Sequence, residues 1–162
     1  MIRVGILTLS DRGSAGDRED KSGPKIEEII TQLNAQVDYY QIIADDKQQI
    51  IGELEKMVAQ LELDLILTTG GTGLTPQDVT SEASKEVIEK EVPGIAEAIR
   101  AESLKVTRKA MLSRATAGIS QESLIINLPG SPKAVKECLN VVLPVLSHAV
   151  ESIKGQVTDC AR

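Results

Sequence analysis

The stretch from Gly70 to Thr80, reading GGTGLTPQDVT, holds the densest run of residues able to do chemistry. Three glycines within four positions let the backbone reach positive φ and bring amide N–H groups close to an anion. On spacing alone two readings are open: a phosphate cradle built from Gly70, Gly71, Thr72 and Gly73, or a structural tight turn. The loop matches neither GxxxxGK[ST], since no lysine closely follows Gly73, nor the dinucleotide pattern GxGxxG. Asp78 either serves a ligand or interacts with the start of the helix that follows it. Asp45 and Asp46 pose the same choice, but adjacent carboxylates need not both cap one helix, so one is spare. In NLPGSP, Asn127 to Pro132, a strand feeds a helix start with Ser131 as cap and Pro132 as first helical residue. That geometry presents unpaired amides and the positive end of a helix dipole, which suits an anion. Lys133 is either a point charge beside it or a solvated surface lysine.

These residues need a scaffold that gathers four separated segments. Ile2 to Leu9, IRVGILTL, is almost continuously apolar and of strand length, the pattern of a strand covered on both faces. Ser10 to Lys21 reads as a loop. Ser22-Gly23-Pro24 reads as a helix start, with Ile26, Ile29, Ile30 and Leu33 recurring at helical spacing. A second strand is expected around Val37 to Ile43, then a helix capped by Asp46 with Ile50, Leu54, Met57 and Val58 on one face. A third buried strand from Asp64 to Thr69 runs directly into Gly70. This alternation implies an α/β fold with a parallel sheet and right-handed crossovers. Further on, the pattern predicts a helix from Thr80 to about Lys90, a break at Pro93-Gly94, and a helix through Ile95, Ala96, Ile99 and Leu104. Met111 to Ile119 is compatible with a short helix turning into an edge strand. A tight turn at Gln121-Glu122 precedes a strand from Ser123 to Leu128. The last helix carries Val135, Cys138, Leu139 and Val142 on one face, is kinked or split at Pro144, and stops at Gly155. Ligands of open parallel sheets gather outside the carboxyl ends of the strands. Ser10-Asp11, Asp45-Asp46, Gly70 to Asp78 and Pro129 to Ser131 all fall there, so one shared rim is expected.

Composition narrows the ligand. The 162 residues carry a formal net charge of −6, with 41% apolar and 26% charged residues, the balance of a folded domain. A single domain over 1–155 and a loose C-terminal tail over 156–162 are expected. Tyr39 and Tyr40 are the only aromatic residues, so the core is built from Ile, Leu, Val and Ala. Few rings and an acidic surface argue against nucleic-acid binding by base stacking or phosphate-backbone contact. A small phosphorylated ligand, held locally by amides and a cation, stays open. His148 is the only histidine, which argues against a hydrolase triad or a multi-histidine metal site. Cys138 and Cys160 form no CxxC and fit a reducing cytoplasm, one as a core residue and one as an incidental thiol. No apolar run is long enough for a membrane span, and Val4 to Leu9 is too short for a signal-peptide core.

Four segments together carry a resemblance: IRVGILTLSDR at Ile2 to Arg12, TTGGTGLTPQDVTSEA at Thr68 to Ala83, MLSRATAGI at Met111 to Ile119, and INLPGSPKAV at Ile126 to Val135. The chain resembles the MogA family of molybdopterin adenylyltransferases and the related G-type domains of plant and animal molybdenum-cofactor proteins and gephyrin, over Met1 to about Gly155. The resemblance implies a three-layer α/β/α sandwich with a mixed, mostly parallel sheet, commonly assembled as a trimer. It also implies a reaction in which molybdopterin and Mg-ATP give adenylylated molybdopterin and pyrophosphate. The family's two essential acidic positions match Asp45 and Asp78. Where many relatives have Pro-Asp this chain has Ala44-Asp45, and a slip of one residue would pass the role to Asp46.

The chemistry of such a transfer agrees with carboxylates that bind metal. A terminal phosphate with a second pKa near ~6 is already largely anionic at neutral pH, so no general base is needed. Two polyanions must be brought together and the departing pyrophosphate stabilised. The expected roles follow: Asp45 and Asp78 hold Mg²⁺ or orient its waters, and the backbone of Gly70, Gly71, Thr72 and Gly73 cradles nucleotide phosphate. The Pro129, Gly130, Ser131 turn binds ligand, Ser10 and Asp11 line the same rim, and Ser113 and Arg114 contact the pterin or its phosphate. ATP is then the co-substrate, with a homotrimer and the molybdenum-insertion enzyme as protein partners. The alternatives are a MoaB-like module that binds molybdopterin without adenylylating it, a gephyrin-like scaffold, and a generic α/β nucleotidase, the last disfavoured by the missing Walker and triad patterns.

Overall fold

The computed structural model describes residues 1–156. Four parallel strands, β1 (Ile2–Leu9), β2 (Ala35–Ile43), β3 (Leu65–Thr69) and β6 (Ser123–Leu128), lie in the order β2-β1-β3-β6. Beyond β6 the sheet continues with antiparallel β5 (Ala117–Ser120) and the two-residue β4 (Lys90–Glu91). Side chains alternate across it. Val4, Ile6, Leu65, Leu67 and Ile126 face one core, with Ile26 and Ile30 of α2 (Ser22–Ile30), Ile99 of α5 (Pro93–Leu104), and Val135, Leu139 and Leu146 of α6 (Pro132–Ile153). Leu7, Leu9, Ile66 and Ile125 face the other, with Ile50, Leu54 and Met57 of α3 (Lys47–Ala59) and Ala83 and Val87 of α4 (Thr80–Val87). The continuous apolar runs are therefore two period-two faces, each covered by helices, and the three-layer α/β/α sandwich is the result.

Local chemistry explains where the elements differ from expectation. The loop after β1 contains a single helical turn, α1 (Asp11–Ser14), because the Ser10 hydroxyl accepts the Gly13 amide at 3.0 Å. The helix α2 starts at Ser22 as expected, but the group that caps it lies in the preceding loop: the Asp20 carboxylate accepts the amides of Ser22 at 2.8 Å and Gly23 at 3.2 Å. The helix after the glycine loop ends at Val87 rather than near Lys90. Ile88 turns extended, and the following residues pair with β5 through Glu89 N–H to Ile119 O and Val92 N–H to Ala117 O, each 2.9 Å. As a result β4, not β5, is the edge strand. The short helix before β5 is a 3-10 helix and lies earlier than expected, at Arg108–Leu112. The β5–β6 hairpin turns at Gln121-Glu122, with Gln121 at φ 50°. Pro144 does not split α6, which runs unbroken from Pro132 to Ile153, and Gly155 follows its end at φ 65°. Cys138 is buried, whereas Cys160 and the tail beyond Gln156 lie outside the described residues. No helix among the described residues is long and apolar enough to cross a membrane.

Candidate active site

The connection after β1 leads outward to β2, and the one after β2 crosses back to β3 on the other side of β1. Loops leaving β1 and β3 therefore diverge and open a crevice at their carboxyl ends. A cavity of about 720 Å³ occupies it. Thr8, Leu9, Ser10 and Gly13 line it from β1 and its loop, Asp45 from the end of β2, and Thr69, Gly70, Gly71, Gln77 and Asp78 from β3 and its loop. Gly130, Ser131 and Pro132 line it from the end of β6, and Arg18 to Ser22 close the remaining side. The four loops singled out in the sequence meet on one rim.

The glycine turn is held by its neighbours on both flanks. Gly70 and Gly71 sit at φ 102° and 64°. The Gly70 amide donates to Leu128 O at 3.1 Å, while Thr80 donates its hydroxyl to Gly70 O at 2.9 Å and its amide to Gly71 O at 3.1 Å. A Cβ on Gly71 would lie 2.1 Å from Thr80 Oγ1 and 3.3 Å from Asp45 Oδ1, so glycine is required both for the conformation and for the space. With its amide committed to the sheet, Gly70 cannot donate to an anion, and the cradle is narrower than the four residues expected. Buried Asn127 ties this region together: its Nδ2 donates to Thr68 Oγ1 at 2.9 Å and Ser84 Oγ at 2.8 Å, joining β3, β6 and α4.

The acidic residues separate by role. Asp46 caps α3, its Oδ1 accepting the Gln49 amide at 2.9 Å, which leaves Asp45 as the spare carboxylate. Asp45 and Asp11 exchange bonds: Asp45 Oδ2 accepts the Asp11 amide at 3.1 Å and Asp11 Oδ1 accepts the Asp45 amide at 2.9 Å. Asp78 Oδ2 accepts the amide and hydroxyl of Thr75 at 2.8 and 2.7 Å. Burial raises the Asp45 carboxyl above its ordinary range; the Asp11 amide opposes this, and the charges of Asp11 and Asp78 add to it. For Asp78, burial acts in the same direction but is outweighed by Thr75, the Gly73 amide and the nearby Arg114 charge, so its carboxyl is lowered.

On the opposite wall two helix starts open into the cavity. Ser131 caps α6, accepting the Ala134 amide at 3.2 Å, and the Ser22 hydroxyl at the start of α2 donates to Gly130 O at 2.7 Å. The cavity is thus favourable to an anion at the α6 start and acidic at Asp45, Asp78 and the Asp20 carboxylate that caps α2. Asp20, absent from the sequence reading of the site, anchors the floor. Its carboxylate accepts from Thr8 Oγ1 at 2.6 Å and Tyr40 OH at 2.5 Å besides the two α2 amides. An Asp two residues before Ser-Gly-Pro is a capping pattern that could have revealed it. Thr8 and Thr69, polar residues closing apolar strands, were a second such signal.

Other predicted residues lie off this wall. Asp11 stands behind Asp45, and Thr72, Gly73 and Pro129 are not among the cavity's lining residues. Ser113 and Arg114 line a separate cleft of about 400 Å³ with Ser81, Glu82, Lys85 and Arg100, and the Arg114 guanidinium is engaged by its own chain. Lys133 and His148 are exposed on α6.

A cation also fits this donor set. Among the described residues no group of three or more His, Cys, Asp or Glu side chains is arranged to hold a metal by itself. Mg²⁺ is commonly bound through one or two carboxylates, with water and substrate phosphates completing an octahedron. Asp45 and Asp78 supply two carboxylates to one cavity, each with its Oδ1 outside the bonds described above.

Residues 5–148 match the family model described as "Probable molybdopterin binding domain". The chain belongs to the molybdopterin-binding domain family. Within this family it is 46% identical over 156 residues to a molybdopterin adenylyltransferase of Helicobacter pylori, covering 95% of this chain and 89% of that protein. It is 43% identical to gephyrin of Dictyostelium discoideum over 94% of this chain, but over only 23% of that longer protein. The crystal structure of the molybdopterin biosynthesis enzyme MoaB from Thermus thermophilus superposes with a TM-score of 0.91 at 46% identity, covering 96% of this chain and 98% of that one. The molybdopterin-binding domain thus spans almost all of the sheet and the cavity at its carboxyl end.

Proposed function

We propose that this chain adenylylates molybdopterin at the cavity above β1 and β3, using ATP and releasing pyrophosphate, as a step of molybdenum cofactor biosynthesis. The observation that carries the assignment of the site is the convergence of Asp45 and Asp78, from loops 33 positions apart in sequence, on one cavity that also receives the glycine turn and two helix N-termini. Relatives named molybdopterin adenylyltransferase, 40–46% identical, support the reaction. Asp45 and Asp78 would hold Mg²⁺, which when bound neutralises phosphate charge and stabilises the leaving pyrophosphate.

The protein's own groups do the rest. Gly71 presents backbone to the nucleotide phosphates, and the α6 start, with Arg18 and Lys21, favours the second anionic substrate. The attacking phosphate is already ionised, so no side chain needs to accept a proton. Catalysis is the positioning of two anions and the offsetting of their repulsion. A cytoplasmic homotrimer, passing its product to a molybdenum-insertion enzyme, is the assembly in which we place it. The placement of Asp45 and Asp78 on one cavity supports the transferase reading over a binding-only module.

The test is an assay of pyrophosphate release with molybdopterin and Mg-ATP, together with mass detection of the adenylylated pterin. Product formation supports the reading. Pterin binding without product would assign the chain to the binding-only class.

A further inference from the structure

The residue most tightly joined to the active loop lies outside the cavity. Arg114 reaches the segment from Thr72 to Glu82 through five separate contacts. Its Nε donates to Gly73 O and its Nη2 to Asp78 O, each at 2.6 Å, and its Nη1 pairs with Glu82. Its backbone amide donates to Thr72 O at 3.0 Å, and its carbonyl accepts the Ser81 hydroxyl at 2.6 Å. The planar guanidinium therefore bridges the last glycine of the turn and the carbonyl of the acidic residue, closing the loop from behind. The Thr75 bonds to the Asp78 carboxylate complete a small ring inside that closure.

We infer that Arg114 is a positioning residue: it fixes the Gly73 to Asp78 loop so that the Asp78 carboxylate is presented to the cavity, and it does not itself contact either substrate. Three observations support this over a substrate contact. The guanidinium donors that reach the loop are used on main-chain carbonyls and Glu82, Arg114 lines the smaller cleft rather than the cavity holding Asp45 and Asp78, and its hydrogen bond to Asp78 goes to the carbonyl rather than the carboxylate. Arginine is suited to this task because its rigid fork can hold several acceptors at once, which a lysine ammonium on a flexible stem does not do. Supporting groups of this kind typically change metal affinity or activity about 10–100-fold when removed.

The kinetic side of this inference rests on the adenylyltransfer reading, whereas its structural side does not, and the experiment keeps them apart. Hydrogen exchange of the ligand-free protein is compared for wild type, Arg114→Lys, Arg114→Ala and Glu82→Gln. Faster exchange confined to Thr72 through Glu82, larger in both Arg114 variants than in Glu82→Gln, is expected. Exchange unchanged in that segment, or raised across the whole sheet, overturns the inference whatever the reaction proves to be. If one variant fails to fold, the remaining two carry the comparison.

In turnover, kcat should fall about 10–100-fold in Arg114→Lys, with a higher Mg²⁺ requirement and little change in KM for the pterin. Weaker Mn²⁺-ATP binding by calorimetry should accompany it. A rise in pterin KM at constant kcat, or full activity restored by lysine, would instead mark Arg114 as a charge that touches substrate. Should wild type form no product, the adenylyltransfer reading fails, and the exchange pattern still decides the role of Arg114.

Discussion

Carboxylates stand at both ends of the same parallel sheet, and their surroundings differ in kind. At the amino end Asp64 is 4% exposed and its bonds are completed by the protein. One of its oxygens accepts the Arg3 amide at 2.7 Å and the other pairs with Lys154 from the end of α6. At the carboxyl end Asp45 and Asp78 each have one oxygen bound by the local chain, and their charges act against each other across a cavity. A buried carboxylate closed by its own chain stabilises a junction between elements. Carboxylates gathered on one cavity, each with an oxygen outside the bonds of its own chain and one of them, Asp45, disfavoured in its charged form, are the arrangement expected of a functional site that takes a cation or ligand.

The largest effect expected from breaking this contrast is on rate. Asp78→Asn and Asp45→Asn should lower turnover about 10²–10³-fold, the range seen when one group aimed at developing charge is removed. Asp45→Asn should keep the wild-type melting temperature or exceed it, because a carboxylate disfavoured by burial and by the charges of Asp11 and Asp78 disappears, whereas Asp78→Asn should lower it slightly, because Thr75, Gly73 and the Arg114 charge favour the ionised form. Asp64→Ala should do the reverse. Leaving Lys154 and the Arg3 amide without their partner should lower unfolding free energy by about 3 kcal/mol, with activity per folded molecule unchanged. Chemical denaturation and pyrophosphate release on the same preparations measure both. If Asp64→Ala lost activity while keeping stability, the division between the two ends would be wrong.

Gly71→Ala belongs between these extremes. The added methyl meets Thr80 Oγ1 and the residue must hold φ 64°, so we expect a cost of about 1–3 kcal/mol in stability together with a displaced Thr80. Activity should fall further than the stability loss explains, since Asp45 Oδ1 faces the same position. Gly52→Ala on α3 is the control: no atom lies within 4 Å of the added methyl, the residue is not in the cavity wall, and its activity should stay close to wild type.

How much of this could be read in advance depends on whether the information is local. The strands β1, β3 and β6 are visible as apolar runs, and the Asp46 cap follows from one carboxylate at a helix start. The convergence of four loops follows from the general geometry of parallel sheets. The two-residue β4 was not legible, because Lys90 and Glu91 pair only with Ile119 and Gly118, and nothing in a dipeptide announces a distant partner. The same holds for Arg114, whose acceptors are main-chain carbonyls of residues 73 and 78 and so leave no mark in side-chain type. Its place within the MLSRATAGI match identifies the segment but not the direction in which the guanidinium points. Asp20 lay in a loop read only as polar, although its capping spacing was there to be used.

Asp20 also sharpens the contrast, since it lines the cavity as Asp45 does but is closed by the chain as Asp64 is. Burial works against its charge, and the bonds from Thr8, Tyr40 and the amides of Ser22 and Gly23 overcome it, so its carboxyl is held below the usual range. A group whose folded pKa is depressed contributes stability in full above its unfolded value, and loses that contribution as pH falls through the folded value. The difference in unfolding free energy between wild type and Asp20→Asn should therefore be constant at neutral pH and shrink below about pH 3.9, the unfolded aspartate value. The Tyr40 phenol, raised by burial and by the Asp20 charge, remains a donor throughout that window and does not confuse the measurement. Denaturant unfolding at steps from pH 7 to pH 2 reads the effect. A difference that persists unchanged to the acid limit would mean that the ionised form is not what these four donors hold, and that Asp20 sits with the open carboxylates of the cavity rather than the closed one at the far end.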